Sequence, residues 1–185
     1  ALSDSGKKVF LDFKFHDIGA TVERGTASVA RFGADFLTVH AEPEVLKGAV
    51  AGRGGDKRLK ILGVTVLTSL TQDSLAESGI SMRLEDLVLR RAEFCVSAGA
   101  DGVVASAREA LTIRQRFGDD LLIVTPGVRP AGASADDQAR IVTPSDAIRS
   151  GADHLVVGRP IVNARDPGAA ARGILDEIAA ATPPR

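Results

Sequence analysis

Residues 9–21 read Val-Phe-Leu-Asp-Phe-Lys-Phe-His-Asp-Ile-Gly-Ala-Thr, an apolar stretch that carries Asp12 and Lys14 and is followed by Asp17. Side chains two residues apart on a strand point to the same face, so this spacing predicts that the Asp12 carboxylate and the Lys14 ammonium share a surface. Fixed charges at the end of a buried strand cost desolvation free energy, which a chain rarely bears without partners or a function. An ammonium beside carboxylates can act as a general acid and as an electrostatic anchor. We therefore predict that Asp12, Lys14 and Asp17 carry chemistry.

Each of these side chains also has an ordinary structural interpretation. Lys14 can form a salt bridge with Asp12 and do nothing more. Asp17 and Thr21 lie where a helix is expected to begin, and either can cap it. His16 points away from Lys14 if the strand continues, which favours a structural hydrogen bond.

A second group of residues resembles an anion site. Thr-Pro-Gly-Val-Arg at 125–129 offers the Arg129 guanidinium at a turn, and Val-Gly-Arg-Pro at 157–160 offers the amide of Gly158 and the guanidinium of Arg159 at a helix start. Gln138 follows in the same loop as Arg129 and can reach the same anion. Each arginine alone is more often a surface residue. Their occurrence together favours phosphate binding.

Three further polar side chains stand at predicted strand ends. Thr68 and Ser69 place hydroxyl groups where they can bind a polar heterocycle or merely end the strand. His40 ends the second strand, and a lone histidine more often forms hydrogen bonds with its surroundings than holds a metal. The spacing of the His, Cys, Asp and Glu residues indicates no metal site.

Short β-rich runs alternate with helix-spaced apolar segments along the whole chain. This alternation predicts a parallel sheet with right-handed crossovers. The predicted strands are 9–15, 35–40, 60–66, 102–105, 121–125 and 154–158, and the predicted helices are 20–32, 43–51, 82–97, 107–117, 144–150 and 167–181.

The phrase Gly-Ala-Asp occurs three times, at 33–35, 99–101 and 151–153, each time between a predicted helix and a predicted strand. Glycine at a helix C-terminus followed by a polar turn explains the repeat, which is therefore structural. Residues 130–137 form a loop long enough to act as a lid beside a strand end.

The composition limits the class of protein. With 185 residues, 44% of them hydrophobic and 25% charged, the chain is expected to form one globular domain, residues 1–185. A net charge of -1 argues against nucleic-acid and membrane-surface partners, which leaves small molecules or copies of the same chain. The single cysteine, Cys95, is expected to be a buried structural thiol in a cytoplasmic protein.

Six βα units are fewer than the eight of a TIM barrel, which typically takes about 250 residues. An open doubly wound sheet is the alternative, but its first turn often carries a glycine-rich fingerprint that residues 15–21 lack. In TIM barrels, phosphate commonly binds after strands seven and eight, and here the two arginine segments follow the last two strands. We therefore predict an α/β fold, a (β/α)8 TIM barrel of which this chain supplies strands 3 to 8 and lacks the first two units.

The motifs together resemble the orotidine 5'-phosphate decarboxylase family. The resemblance begins with residues 9–21, continues through 37–41, 64–69, 125–129, 137–138 and 156–161, and covers nearly the whole chain. Asp-x-Lys-x-x-Asp alone also occurs in related sugar-phosphate decarboxylases and synthases, so the following Ile18 and Thr21 make the motif specific. Gly19 stands where proline is common, a change that the family pattern allows.

The resemblance implies a role for each site residue. Lys14 is the proton donor to C6 of the pyrimidine, and Asp12 holds it. Family members are homodimers, so Asp17 is expected to reach into the neighbouring subunit's site with Ile18 and Thr21 beside it. The expected contacts to the remaining parts of the nucleotide are Thr68 for the pyrimidine and Arg129, Gln138, Gly158 and Arg159 for the phosphate.

The implied reaction converts orotidine 5'-phosphate to uridine 5'-phosphate and carbon dioxide, the last step of UMP synthesis, without cofactor or metal. The family also has an Asp and a Lys on two strands before the first motif, which this chain does not contain, so a protein beginning at Ala1 is expected to lack half of the charge network. Two alternatives remain: a metal-dependent sugar-phosphate decarboxylase or synthase, and a non-catalytic phosphate-binding fragment.

Overall fold

The computed structural model describes residues 5–130 and 142–181, in which six strands alternate with eight helices. Of the predicted loop, all but Pro130 lies outside the described residues, as does Gln138. The strands are β1 (Phe10–Phe15), β2 (Phe36–His40), β3 (Lys60–Val64), β4 (Gly102–Val104), β5 (Leu122–Thr125) and β6 (His154–Leu155). The helices are α1 (Gly19–Arg31), α2 (Pro43–Arg53), α3 (Gln72–Glu77), α4 (Leu84–Ala98), α5 (Ala107–Phe117), α6 (Pro144–Arg149), α7 (Arg159–Val162) and α8 (Pro167–Ala181).

The predicted order of elements is confirmed, and the strand ends account for most differences. The strand predicted to end at residue 66 ends at Val64, and the one predicted to end at 158 ends at Leu155. Helix α7 was predicted only as a helix start within residues 157–160, and helix α3 was not predicted. Its signal is a capping box, in which the Thr71 hydroxyl accepts from the Ser74 amide at 3.2 Å while the Ser74 side chain accepts from the Thr71 amide.

The chain divides into two compact units. The first comprises residues 1–65, 85–104 and 120–122, and the second comprises 66–84, 105–119 and 123–185. The prediction of one domain over residues 1–185 stays a prediction.

In the first unit, strands β1 to β4 lie side by side in chain order, and every pair is parallel. The pairing of β2 with β3 is regular from Phe36 and Lys60 to His40 and Val64. Helix α1 packs on helix α2. Fully buried aliphatic side chains, among them Leu37, Leu46 and Ile61, form the core.

Cys95 belongs to the core of the first unit. It has no exposed surface, and burial raises the pKa of its thiol to about 12. The prediction of a buried structural thiol is therefore confirmed.

In the second unit, β5 and β6 are parallel, with Val124 opposite His154 and Thr125 opposite Leu155. Ala107, Val128, Ala147 and Ala152 form a buried cluster, and Leu155 of β6 packs against it. Within the described residues of either unit, no helix is both long enough and apolar enough to cross a membrane.

The Gly-Ala-Asp repeat has one structural task in all three copies. Each glycine has a positive φ (72°, 76° and 100°), which ends the preceding helix. Each aspartate then accepts a hydrogen bond from an amide at the start of the preceding strand in the chain. The amide of Val9 donates to Asp35 at 2.8 Å, that of Ile61 to Asp101 at 2.9 Å, and that of Ile123 to Asp153 at 2.7 Å. The structural interpretation is confirmed.

Gly48 allows helix α2 to approach the start of helix α1. A Cβ atom at residue 48 would overlap the carbonyl oxygen of Gly19, two residues after Asp17. We predict that Gly48→Ala lowers the free energy of unfolding by about 2 kcal/mol, because backbone must move to admit the methyl group. Urea unfolding measures the change. The matched control is Gly173→Ala in helix α8, where a Cβ meets nothing within 4 Å, and equal stability for both variants would contradict the prediction.

Candidate active site

Strand β1 is interrupted at Lys14. Lys14 has φ +48° and is the only described non-glycine residue with a positive φ. The pairing of β1 with β2 shifts register between Leu11 and Phe15. A left-handed conformation costs a residue with a Cβ about 1–2 kcal/mol. Asp12 and Lys14 do meet, as predicted, but a bulge brings them together and not the regular pleat from which the prediction was made.

Asp12, Lys14 and Thr38 form a closed ring of hydrogen bonds. The Lys14 ammonium lies 2.6 Å from Asp12 Oδ2. Thr38 Oγ1, from the neighbouring strand β2, donates to Asp12 Oδ1 at 2.8 Å and accepts from the Lys14 amide at 2.9 Å. Thr38 is completely buried, whereas the side chains of Lys14 and Asp12 are 37% and 45% exposed. The ammonium is therefore oriented and still accessible to a ligand.

Asp17 and Thr21 do not cap helix α1, so the structural alternative for both is wrong. The N-cap is Ile18, which makes no side-chain cap. Asp17 Oδ1 accepts from the Ile18 amide at 2.6 Å, and Thr21 Oγ1 accepts from Arg24 at 3.4 Å. Asp17 and Thr21 are exposed, and Ile18 is 72% exposed.

Lys14 and Asp17 line one pocket between strand β1 and helix α1. Its volume is about 380 Å³, and Thr21 and His16 also line it. The remaining lining residues are Phe13, Phe15, Val22 and Gly25. The first unit thus brings an ammonium and a carboxylate to one open cavity.

Two histidines stack beside the site. The rings of His16 and His40 lie 4.5 Å apart between centroids, at 31°. His16 Nε2 is 3.3 Å from Glu42 Oε2, and Arg91 approaches the other oxygen of Glu42 at 4.0 Å. His16 thus has an ion-pair partner, but it also lines the pocket that contains Lys14, so its purely structural role stays a prediction.

His40 makes stability dependent on pH. Burial lowers the pKa of His40 below its usual 6.5, the charges of His16, Arg91 and Lys14 lower it further, and Glu42 acts in the opposite direction. Between the pKa of His40 in the folded protein and about 6.5, the unfolded chain binds more protons than the folded one. The contribution of neutral His40 to the free energy of unfolding is therefore fully present above that range and is lost as the pH falls through it. We predict that His40→Gln reduces the loss of stability between about pH 7.5 and about pH 5.5, measured by urea unfolding. The exposed His154 supplies the control, and His40→Gln and His154→Gln losing stability equally over this range would contradict the prediction.

The second unit holds the predicted anion-binding residues. Arg129 is only 6% exposed, with Nη1 donating to the carbonyl of Val128 at 3.1 Å. The alternative that Arg129 is a surface residue is therefore wrong. Gly158 is the N-cap of helix α7 and Arg159 is its first residue, so the predicted helix start is confirmed. Thr68 lies half-buried in the turn after strand β3.

Sequence reasoning missed Thr38. A threonine between the apolar residues Leu37 and Val39 was the available signal, since a buried hydroxyl requires a partner. Among residues 5–130 and 142–181, no group of three or more His, Cys, Asp or Glu side chains is arranged to hold a metal ion.

Comparison with known proteins assigns the class. The model of the orotidine 5'-phosphate decarboxylase / HUMPS family matches residues 1–174. An orotidine 5'-phosphate decarboxylase of Rhodopseudomonas palustris (strain BisA53) is 54% identical over 182 residues, which is 98% of this chain and 77% of that protein. One from Methylobacterium sp. (strain 4-46) is 55% identical over 97% of this chain and 77% of that protein.

A solved structure of the same family has a similar fold. The crystal structure of orotidine 5'-phosphate decarboxylase from Lactobacillus acidophilus has a TM-score of 0.82 at 39% identity, over 96% of this chain and 78% of that one. The chain belongs to the orotidine 5'-phosphate decarboxylase family. The prediction of a TIM-barrel fold, represented here by six βα units, is confirmed.

Proposed function

We infer that this chain catalyses the decarboxylation of orotidine 5'-phosphate to uridine 5'-phosphate and carbon dioxide. The observation that carries the inference is the Lys14–Asp12 pair, held at 2.6 Å in a left-handed bulge of a chain 54% identical to a decarboxylase of that name. Residues 1–185 act as one catalytic domain in this proposal, and the reaction takes place in the cytoplasm.

Lys14 supplies the proton. The bond between C6 of the pyrimidine and its carboxylate breaks, carbon dioxide leaves, and the electron pair stays on C6. The Lys14 ammonium then donates a proton to C6, and solvent returns a proton to the amine. Opposite unit charges about 4 Å apart attract by about 4 kcal/mol at an effective dielectric constant of 20, which corresponds to about a thousandfold in rate if the attraction arises only in the transition state.

Asp12 orients the ammonium through the 2.6 Å contact. Its carboxylate also stands where it repels the carboxylate of the substrate. Binding of the remote phosphate group can offset this repulsion, which is relieved as carbon dioxide leaves. Asp12 therefore acts both on the proton donor and on the leaving group.

The remaining nucleotide contacts are assigned to five residues by the family resemblance. Thr68 contacts the pyrimidine, and Arg129, Gln138, Gly158 and Arg159 bind the phosphate. The position of Arg129 supports this role, because it brings a guanidinium to the turn after strand β5, where TIM barrels commonly bind phosphate near the last strands.

The functional enzyme is a homodimer in this proposal. Asp17 completes the neighbouring subunit's site, with Ile18 and Thr21 beside it. The exposure of all three residues supports the assignment, since an isoleucine 72% exposed beside a charged site gains from burial in an interface. Mixing a Lys14→Ala chain with an Asp17→Ala chain tests it, because only a shared site lets two inactive variants form one active site.

A spectrophotometric assay distinguishes this function from its rivals. Purified protein is given orotidine 5'-phosphate in the presence of a chelator, and in parallel a hexulose phosphate with Mg²⁺. We expect metal-independent loss of the orotate absorbance and no reaction of the sugar phosphate. Activity on the sugar phosphate alone would favour the synthase, and binding of uridine 5'-phosphate without turnover would favour the non-catalytic fragment.

A further inference from the structure

The left-handed backbone of Lys14 needs a partner that a regular sheet does not supply. In a parallel ladder the amide of a strand residue donates to a carbonyl of the neighbouring strand. The register shift between Leu11 and Phe15 takes Lys14 out of that ladder. Its amide donates instead to the side chain of Thr38, at 2.9 Å.

The same hydroxyl group fixes the carboxylate that holds the ammonium. Thr38 Oγ1 donates its single proton to Asp12 Oδ1 at 2.8 Å, while Asp12 Oδ2 receives the Lys14 ammonium at 2.6 Å. The hydroxyl group of the completely buried Thr38 therefore constrains both the backbone of Lys14 and the Asp12 carboxylate that pairs with its ammonium. Strand β2 pairs regularly with β3, so Thr38 itself is rigidly placed.

We propose that Thr38 is a positioning residue for the decarboxylation. It holds Lys14 in the left-handed bulge and fixes the Asp12 carboxylate, so that the ammonium is aimed at the carbon atom it protonates. Thr38 acts through these two residues and not on the substrate. The proposal rests on the proposed function, because it assigns Thr38 to the same proton transfer.

Two substitutions at residue 38 separate positioning from folding. Thr38→Val keeps the shape of the side chain and removes both hydrogen bonds, whereas Thr38→Ser restores the hydroxyl group. The matched control is Thr26→Val in helix α1, because Thr26 is equally buried and its hydroxyl has no hydrogen-bond partner among the described residues. The assay is decarboxylation of orotidine 5'-phosphate, with binding of uridine 5'-phosphate and urea unfolding measured on the same proteins.

We expect Thr38→Val to lower kcat by about ten- to one-hundredfold, the loss typical of a hydrogen bond to a charged group. Its affinity for uridine 5'-phosphate should stay within about twofold of the unsubstituted protein, because Thr38 acts through Lys14 and Asp12 and does not contact the nucleotide. Thr38→Ser should recover kcat to within about threefold, and Thr26→Val should leave it unchanged. A kcat for Thr38→Val that equals that of Thr26→Val would overturn the proposal, and so would a loss that Thr38→Ser does not restore.

A crystal structure of Thr38→Val tests the proposal independently of activity. We expect Lys14 to leave the left-handed region or its ammonium to move away from Asp12. If Lys14 keeps φ near +48° and the 2.6 Å contact, Thr38 does not position it. If the unsubstituted protein is inactive while the substitution releases Lys14, Thr38 still positions Lys14, and it is the proposed function that fails.

Discussion

Lys14→Ala should reduce kcat for orotidine 5'-phosphate by about a thousandfold or more, since the substitution removes both the proton donor and the charge that stabilises the forming carbanion. The affinity for uridine 5'-phosphate should change far less, because the negative charge on C6 develops only during the reaction and is absent from the product. Initial rates over a range of substrate concentrations separate kcat from KM.

The matched control is Lys47→Ala. Lys47 also pairs with a carboxylate, Glu44 at 2.8 Å, but on the exposed face of helix α2. The Lys47→Ala substitution should leave kcat unchanged. It should also leave the free energy of unfolding nearly unchanged, because exposed ion pairs contribute little to stability. Near-normal turnover by Lys14→Ala would exclude Lys14 as the general acid.

Asp12→Asn should reduce kcat by about a hundredfold or more, because a proton donor that is no longer held in its productive position typically loses about that much rate. The amide oxygen can still accept from Thr38, so the local fold is retained, while the negative charge that holds the Lys14 ammonium is lost. The same charge repels the substrate carboxylate, so we also expect substrate to bind as tightly or more tightly. Steady-state kinetics and a direct binding measurement test both parts.

Asp146→Asn is the control for the change of charge. Asp146 pairs with Arg149 at the same 2.6 Å, but on the exposed face of helix α6. Its activity should equal that of the unsubstituted chain. Asp12→Asn with a kcat close to that of Asp146→Asn would mean that the carboxylate takes no part in the chemistry.

Local patterns in the sequence predict the order of elements because each βα unit carries its own signals. The Gly-Ala-Asp repeat shows this at residue level. Its glycine ends a helix, and its aspartate binds the amide that opens a strand. The glycine acts within its own helix end, so a helix such as 107–117 could be predicted to the residue. The amide partners of the three aspartates lie 26 to 40 residues away at the start of another strand, and local patterns did not predict them.

The geometry at Lys14 was not predictable from the same patterns. An alternation of side chains with a period of two describes a regular strand. It does not indicate where a bulge such as that at Lys14, with φ +48°, interrupts the strand. The bulge depends on a hydroxyl 24 residues away, on Thr38, and contacts between separate strands leave no mark in local spacing. The interpretation of Asp17 and Thr21 as helix caps was also wrong. Helix α1 begins at Gly19, and its N-cap residue Ile18 makes no side-chain hydrogen bond.

The most direct test is decarboxylation in D2O with a chelator present, followed by NMR of the product. If Lys14 protonates a carbanion at C6 without a metal, the purified chain should yield uridine 5'-phosphate carrying one deuterium at C6, with one carbon dioxide released for each product molecule. The Lys14→Ala chain should form this product about a thousandfold more slowly. Absence of product from the unsubstituted chain, or product formed only when a divalent metal is added, would contradict the assignment.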